Sequence, residues 1–199
     1  AEKLGFRMKT GVECEYHLIN SDGTDIADTK DQQSKPCYDQ QALMRQYPVI
    51  SQICDSMIEL GWGPYQNDHE DANGQFEMNW DFDDAIKTAD RHVFFKFMVK
   101  SIAELQGMRA TFMPKPFSHL TGNGCHAHIS IWDLAGRQNL FNGSDDSRGL
   151  GLSPLAYQFL GGIMHSADCL AAIFNPAINS YKRINAPRTL SGATWSPDS

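Results

Sequence analysis

Apolar and polar positions alternate from the start of the chain. Between Phe6 and Ile19, Val12, Cys14, Tyr16 and Leu18 fall on one side of an extended segment, with Gly11, Glu13, Glu15 and His17 on the other; this predicts a strand. Residues 20–37 are polar and rich in turn formers, as in a loop. From Tyr38 to Leu60 the period becomes helical, interrupted at Pro48, with an apolar stripe of Ile50, Ile53, Cys54, Met57 and Ile58 and Gly61 as the stop. Residues 67–80 predict a hairpin turning at Asn73-Gly74, with Phe76, Met78 and Trp80 on one face and Gln75, Glu77 and Asn79 on the other; Glu70 and Glu77 are expected to face each other across it.

The strongest helical period runs from Asp83 to Gln106, capped near Asp83 or Asp84, with Ile86, Val93, Phe94, Phe97, Met98, Ile102 and Leu105 as the buried face. A short strand, Arg109–Met113, leads to a loop with Gly122 and Gly124 and then to the alternating run Cys125–Trp132. Read as a strand, that run aims His126, His128, Ser130 and Trp132 one way and Cys125, Ala127, Ile129 and Ile131 into a core. A turn at Asp133–Gly136, a return strand at Gln138–Phe141 and a polar loop follow. A second long helix then has Ser153 as its cap and Pro154 at the first position, and runs to about Phe174. The remainder, with Lys182, Arg183 and Arg188, reads as loop. Strands and helices alternate without a regular βαβ period and without internal repeats, so the predicted class is α+β: a mainly antiparallel curved sheet backed by helices.

Composition adds limits. In 199 residues, 41% are hydrophobic and 21% charged, which suits one globular core. A net charge of −7, with no block of Lys or Arg, argues against a nucleic-acid or anionic-membrane partner. No apolar run is long enough to span a bilayer and no signal-peptide pattern opens the chain. Five scattered cysteines without a CxxC suit free thiols in a reducing, cytoplasmic setting. The chain begins almost inside a strand and stops at Trp195-Ser-Pro-Asp-Ser without a closing element, the pattern expected of a piece of a longer protein.

The polar faces carry the candidate chemistry. Glu13 and Glu15 share a strand face about 7 Å apart, a costly arrangement of like charge unless water or a cation neutralises it. Two imidazoles and a hydroxyl after a glycine loop could hold a metal or a phosphate. Each pair alone is also what a solvated edge strand, a surface hairpin or a half-buried strand would show. Placed on one concave surface, the four glutamates with one or two histidines require cations, and an oxygen-rich set with a single histidine suits Mg2+ or Mn2+ better than Zn2+. Two such ions beside a glycine loop are equipment for phosphoryl transfer, and no Walker-type loop offers the alternative solution.

Gly-Val-Glu-Cys-Glu, His-Glu-x3-Gly-Gln-x-Glu, Phe-Met-Pro-Lys-Pro, Lys-Pro-x4-Thr-Gly-Asn-Gly-x-His-x3-Ser and Asn-Ser-Tyr-Lys-Arg together resemble the catalytic domain of the glutamine synthetase family, in order and spacing from Gly11 to Arg183. The resemblance implies that Glu15, Glu70 and Glu77 bind the metal serving the amino-acid substrate, and Glu13 and His126 the metal on the nucleotide side. It implies nucleotide contacts at His128 and Ser130, a glutamate contact at Gly122, and a catalytic, carboxylate-holding role for Arg183. The implied reactants are ATP, glutamate and a small amine, with two or more Mg2+ or Mn2+ and a γ-glutamyl phosphate intermediate. Thr121 replaces the family's usual Asn and alters one substrate contact. After Arg183 the usual acid-bearing loop is replaced by Ile184-Asn-Ala-Pro-Arg-Thr-Leu-Ser-Gly-Ala-Thr-Trp, which resembles the glutamate–methylamine ligase branch, and Asp68 in place of the usual first His of His-His-Glu further separates the chain from the common bacterial glutamine synthetase. A ligase using methylamine or a short alkylamine is therefore expected, with glutamine synthetase, a non-catalytic structural relative and a metal-dependent hydrolase as alternatives. The resemblance also implies a partial catalytic domain over 1–199, lacking a small N-terminal β-domain and a C-terminal part, and self-association into a ring-shaped homo-oligomer, commonly a dodecamer.

Overall fold

The computed structural model describes residues 1–184 and 186. They form two compact units, Gly11–His128 and Ala1–Thr10 with the described residues from Ile129 onward.

In the larger unit the sheet is built on β1 (Arg7–Ile19). It pairs antiparallel with β3 (Gln75–Trp80), which pairs with β2 (Pro64–His69) in a hairpin; the short β4 (Asp83–Asp84), β5 (Arg109–Thr111) and β6 (Cys125–Trp132) also pair with β1. This is the α+β class that the alternation predicts. β1 is central, so the solvated edge strand is ruled out: Glu15 and His17 on its polar face are buried.

Cys14, Tyr16 and Leu18 of β1 and Phe76, Met78 and Trp80 of β3 turn to the other face and form the core. Two helices close it. α1 (Gln40–Arg45) and α2 (Tyr47–Glu59) break at Gln46, two residues before the predicted interruption, because Pro48 needs no amide partner in a first turn. Val49, Ile50, Ile53 and Met57 of α2 are buried, whereas Ile58, placed on the stripe by sequence, is exposed. Gly61 ends the helix in the left-handed region, φ 68°.

α3 (Ala85–Leu105) has its cap at Asp84, but its buried face differs from the predicted one. Phe95, Met98, Val99, Ile102 and Ala103 pack inward, with the Phe95 ring 4.9 Å from Trp80, while Ile86, Val93, Phe97 and Leu105 are exposed. Apolar and charged residues are both spread around this helix, so periodicity alone did not select a side. On β6, Ile131 is buried but Cys125 and Ala127, expected in a core, are exposed.

In the smaller unit, α4 (Pro154–Phe174) starts as predicted: the Ser153 hydroxyl accepts from Ala156 N–H at 3.2 Å. The expected return strand is reduced to an isolated bridge, Trp132 with Asn139. Tyr181, Lys182 and Arg183 lie on a short helix, α5 (Ile178–Ile184), where sequence suggested loop.

Candidate active site

A cavity of about 310 Å³ opens on the polar side of β1, β2 and β3, lined by Glu13, Glu15, Asp68, Glu70, Glu77 and His126 among others. The hairpin sets its geometry. Asp68 lies directly opposite Glu77, and Glu70 N–H donates to Gln75 O at 2.9 Å, so Glu70 and Glu77 are diagonal neighbours rather than a facing pair. Asp31 clamps the turn: its carboxylate accepts from His69 Nε2 (2.6 Å), Gly74 N–H (2.6 Å) and Asn73 Nδ2 (2.9 Å). Gly74 has φ 71°, and a Cβ there would stand 2.9 Å from Ile26, so only glycine fits the turn.

Burial and mutual repulsion act on the acids. Burial raises the Glu70 carboxyl to about 7, with the charges of Glu15 and Glu77 adding to it. Glu77 also rises to about 7 through burial, opposed by the 3.0 Å hydrogen bond from Asn79 and reinforced by Glu15 and Glu13. Glu13 moves the other way: burial pushes it up, but hydrogen bonds from His128 Nε2 (2.6 Å) and His126 Nδ1 (2.8 Å) hold it below the ordinary carboxylate value. Glu15 accepts from Gln75 Nε2 at 2.8 Å and from Gly124 N–H at 2.7 Å.

Gln75 is the functional residue that pattern reading missed. Its buried amide donates to Glu15, to Gly122 O at 3.2 Å and to Asn123 Oδ1 at 3.1 Å, and its oxygen accepts from Ala72 N–H at 3.0 Å. Asn123 in turn donates to Thr111 O and Met113 O and accepts from His17 Nδ1 at 2.8 Å. One buried polar chain thus joins His17, the glycine loop and Glu15. Its signals in the sequence are its place in the His-Glu-x3-Gly-Gln-x-Glu motif and its position two residues before Glu77 on the same face.

The structure gathers Glu13, Glu15, Glu70, Glu77, Gly122 and His126–His128 in the larger unit. Thr121 Oγ1 donates to Asp71 Oδ2 at 2.8 Å, beside Glu70. Ser130 and Arg183 belong to the smaller unit; Ser130 Oγ accepts from Trp132 Nε1 at 2.8 Å. The segment after Arg183 lies outside the described residues apart from Ile184 and Ala186.

Among the described residues no three His, Cys, Asp or Glu side chains stand close enough to share one ion. The donor chemistry nonetheless fits hard divalent cations: carboxylates line one cavity, and burial with neighbouring negative charge raises two of them to about 7, a cost that a cation relieves.

Residues 1–198 match the family described as glutamine synthetase, catalytic domain. This chain belongs to that family. Among curated glutamine synthetase-family relatives, it is 67% identical along its whole length to a glutamine synthetase of Rhizobium meliloti, covering 45% of that protein. It is 45% identical over 97% of its length to the glutamate–methylamine ligase of Methyloversatilis universalis, covering 44% of it. A solved structure described as a GmaS/ADP complex matches 98% of the chain and 45% of its own at 65% identity, with a TM-score of 0.89. The chain therefore spans less than half the length of these family members. ATP and divalent metals are typical of the family's ligases.

Proposed function

We propose that the protein to which this chain belongs is an ATP-dependent ligase joining an amine to the γ-carboxylate of glutamate, with methylamine or another short alkylamine as acceptor. The observation that carries this reading is the cavity that gathers Glu13, Glu15, Glu70 and Glu77, where burial first and neighbouring carboxylates second raise Glu70 and Glu77 to about 7. Glu15, Glu70 and Glu77 would have to draw closer together to hold one divalent ion, and Glu13 with His126 would hold another. Bound there, Mg2+ or Mn2+ supplies neutralisation of phosphate charge.

The chain's own groups orient the reactants. Gln75 fixes the direction of Glu15 and holds the carbonyl of Gly122, leaving the glycine loop to present backbone to glutamate. Thr121, whose hydroxyl is engaged by Asp71, would be a further substrate contact. His128, whose Nε2 is bonded to Glu13, would be one nucleotide contact and Ser130 a second. Arg183 offers a guanidinium to a substrate carboxylate. The reaction would pass through γ-glutamyl phosphate, attacked by the amine. The protein is expected to assemble as a ring-shaped homo-oligomer, in the family's usual form a dodecamer, and to work in the cytoplasm; among the described residues no helix is long and apolar enough to cross a membrane.

The acceptor is tested on the full-length protein by measuring ADP release and the amide formed with methylamine and with ammonium in parallel. Methylamine should give the higher kcat/KM. A clear preference for ammonium would instead make it a glutamine synthetase, the reading favoured by the name of the 67%-identical relative.

A further inference from the structure

Two thiols face each other across β1 and β6. The pairing between these strands is fixed by three contacts. Glu15 N–H donates to Gly124 O at 3.4 Å, Glu13 bonds His126 at 2.8 Å, and a Cβ on Gly11 would stand 3.9 Å from that of His128. The pairs 15 with 124, 13 with 126 and 11 with 128 share one antiparallel register, which sets Cys14 directly opposite Cys125. Because the backbone bond falls at Glu15 and Gly124, the Cys14–Cys125 pair is a non-hydrogen-bonded one. Facing α-carbons in such a pair are about 4.5 Å apart and their side chains are at their closest, inside the span of about 4.4–6.8 Å that a disulfide accepts. Both are free thiols, Cys14 buried and Cys125 exposed.

We propose that Cys14 and Cys125 form a reversible oxidation site that closes as an intrachain disulfide when the protein meets a peroxide. The exposed Cys125 sulfur attacks one oxygen of hydrogen peroxide; the O–O bond breaks, water leaves, and Cys125 becomes a sulfenic acid. The Cys14 sulfur then attacks the Cys125 sulfur, the S–S bond forms, and the hydroxyl leaves as water with the Cys14 proton. Two thiols and one hydrogen peroxide give one disulfide and two waters, and a dithiol reverses the step by exchange. The site lies one residue from Glu13 and His126 on the same two strands, with its side chains on the opposite face of the sheet. A bridge there fixes the strand spacing beneath those two residues.

The test exposes the full-length protein to hydrogen peroxide under native conditions, then alkylates remaining thiols in denaturant and maps the peptides by mass spectrometry. A cross-linked pair joining the Cys14 and Cys125 peptides should appear and disappear on treatment with dithiothreitol, with Cys37, Cys54 and Cys169 still alkylated. Cys125→Ser should abolish the cross-link, and Cys14→Ser should leave Cys125 as a sulfenic acid that dimedone captures. Oxidation of Cys37 or Cys169 at doses that leave Cys14 and Cys125 alkylatable overturns the proposal, as does over-oxidation of Cys125 without any cross-link.

Discussion

Gln75 shows how much of the candidate site depends on an uncharged side chain. It is buried with every polar atom engaged, and it orients a carboxylate that would ligate metal. Outer-shell partners of this type are worth about 10–100-fold in metal affinity. Gln75→Leu should therefore weaken Mn2+ binding to the full-length protein by about that factor, read by isothermal titration; unchanged affinity would show that Glu15 needs no such support. The pair raised to about 7, Glu70 and Glu77, makes a second prediction at this scale. Below that value both carry protons that an incoming ion must displace, so affinity should climb as pH rises through about 7 and level off above it. Gln at either position should flatten the climb and lower the plateau. The glutamates were legible in the sequence because like charges at strand spacing demand a reason. Gln75 was not, because an amide between two acids looks like ordinary polar filling until its three acceptors are seen.

At the level of elements, legibility followed whether a local chemical rule was at stake. Ser153 and Pro154 mark the start of α4, Gly61 marks the end of α2, and Asn73-Gly74 marks the hairpin turn, since caps and positive φ are decided by the residues themselves. The inward face of α3 was not legible: with Ile86, Val93, Phe94 and Phe97 as apolar as Phe95 and Val99, the choice belongs to the sheet it meets. The clamp at Asp31 was equally hidden, because it lies in a polar stretch and acts about forty residues away on the hairpin turn. Asp31 is almost fully buried; burial pushes its carboxyl up, but bonds from His69, Asn73 and Gly74 hold it below the ordinary value. Each buried donor left without its acceptor costs about 1–3 kcal/mol. Asp31→Ala should lower unfolding stability by an amount of that order in a denaturant titration, and a loss under about 1 kcal/mol would mean that the turn holds without its clamp.

For the molecule as a whole, the buried His17 links global stability to acid. Burial pulls its imidazole down to about 4, against a rise from the Asn123 bond and a further lowering by His69. The folded state therefore keeps His17 neutral where the unfolded chain, near 6.5, takes up a proton. Its contribution is fully present above about 6.5 and is lost as pH falls from there towards 4. Thermal midpoints of the parent and His17→Gln across that window should converge as pH drops; parallel curves would mean that His17 does not titrate between the states. The polar chain that begins at His17 also ties the glycine loop to Glu15, through the amides of Asn123 and Gln75 and directly through Gly124 N–H. A ligand that pulls on Gly122 is consequently felt at Glu15, and an ion that pulls on Glu15 is felt at Gly122. By thermodynamic reciprocity the two influences are equal, so occupancy of the loop and occupancy of the acidic cavity report on each other.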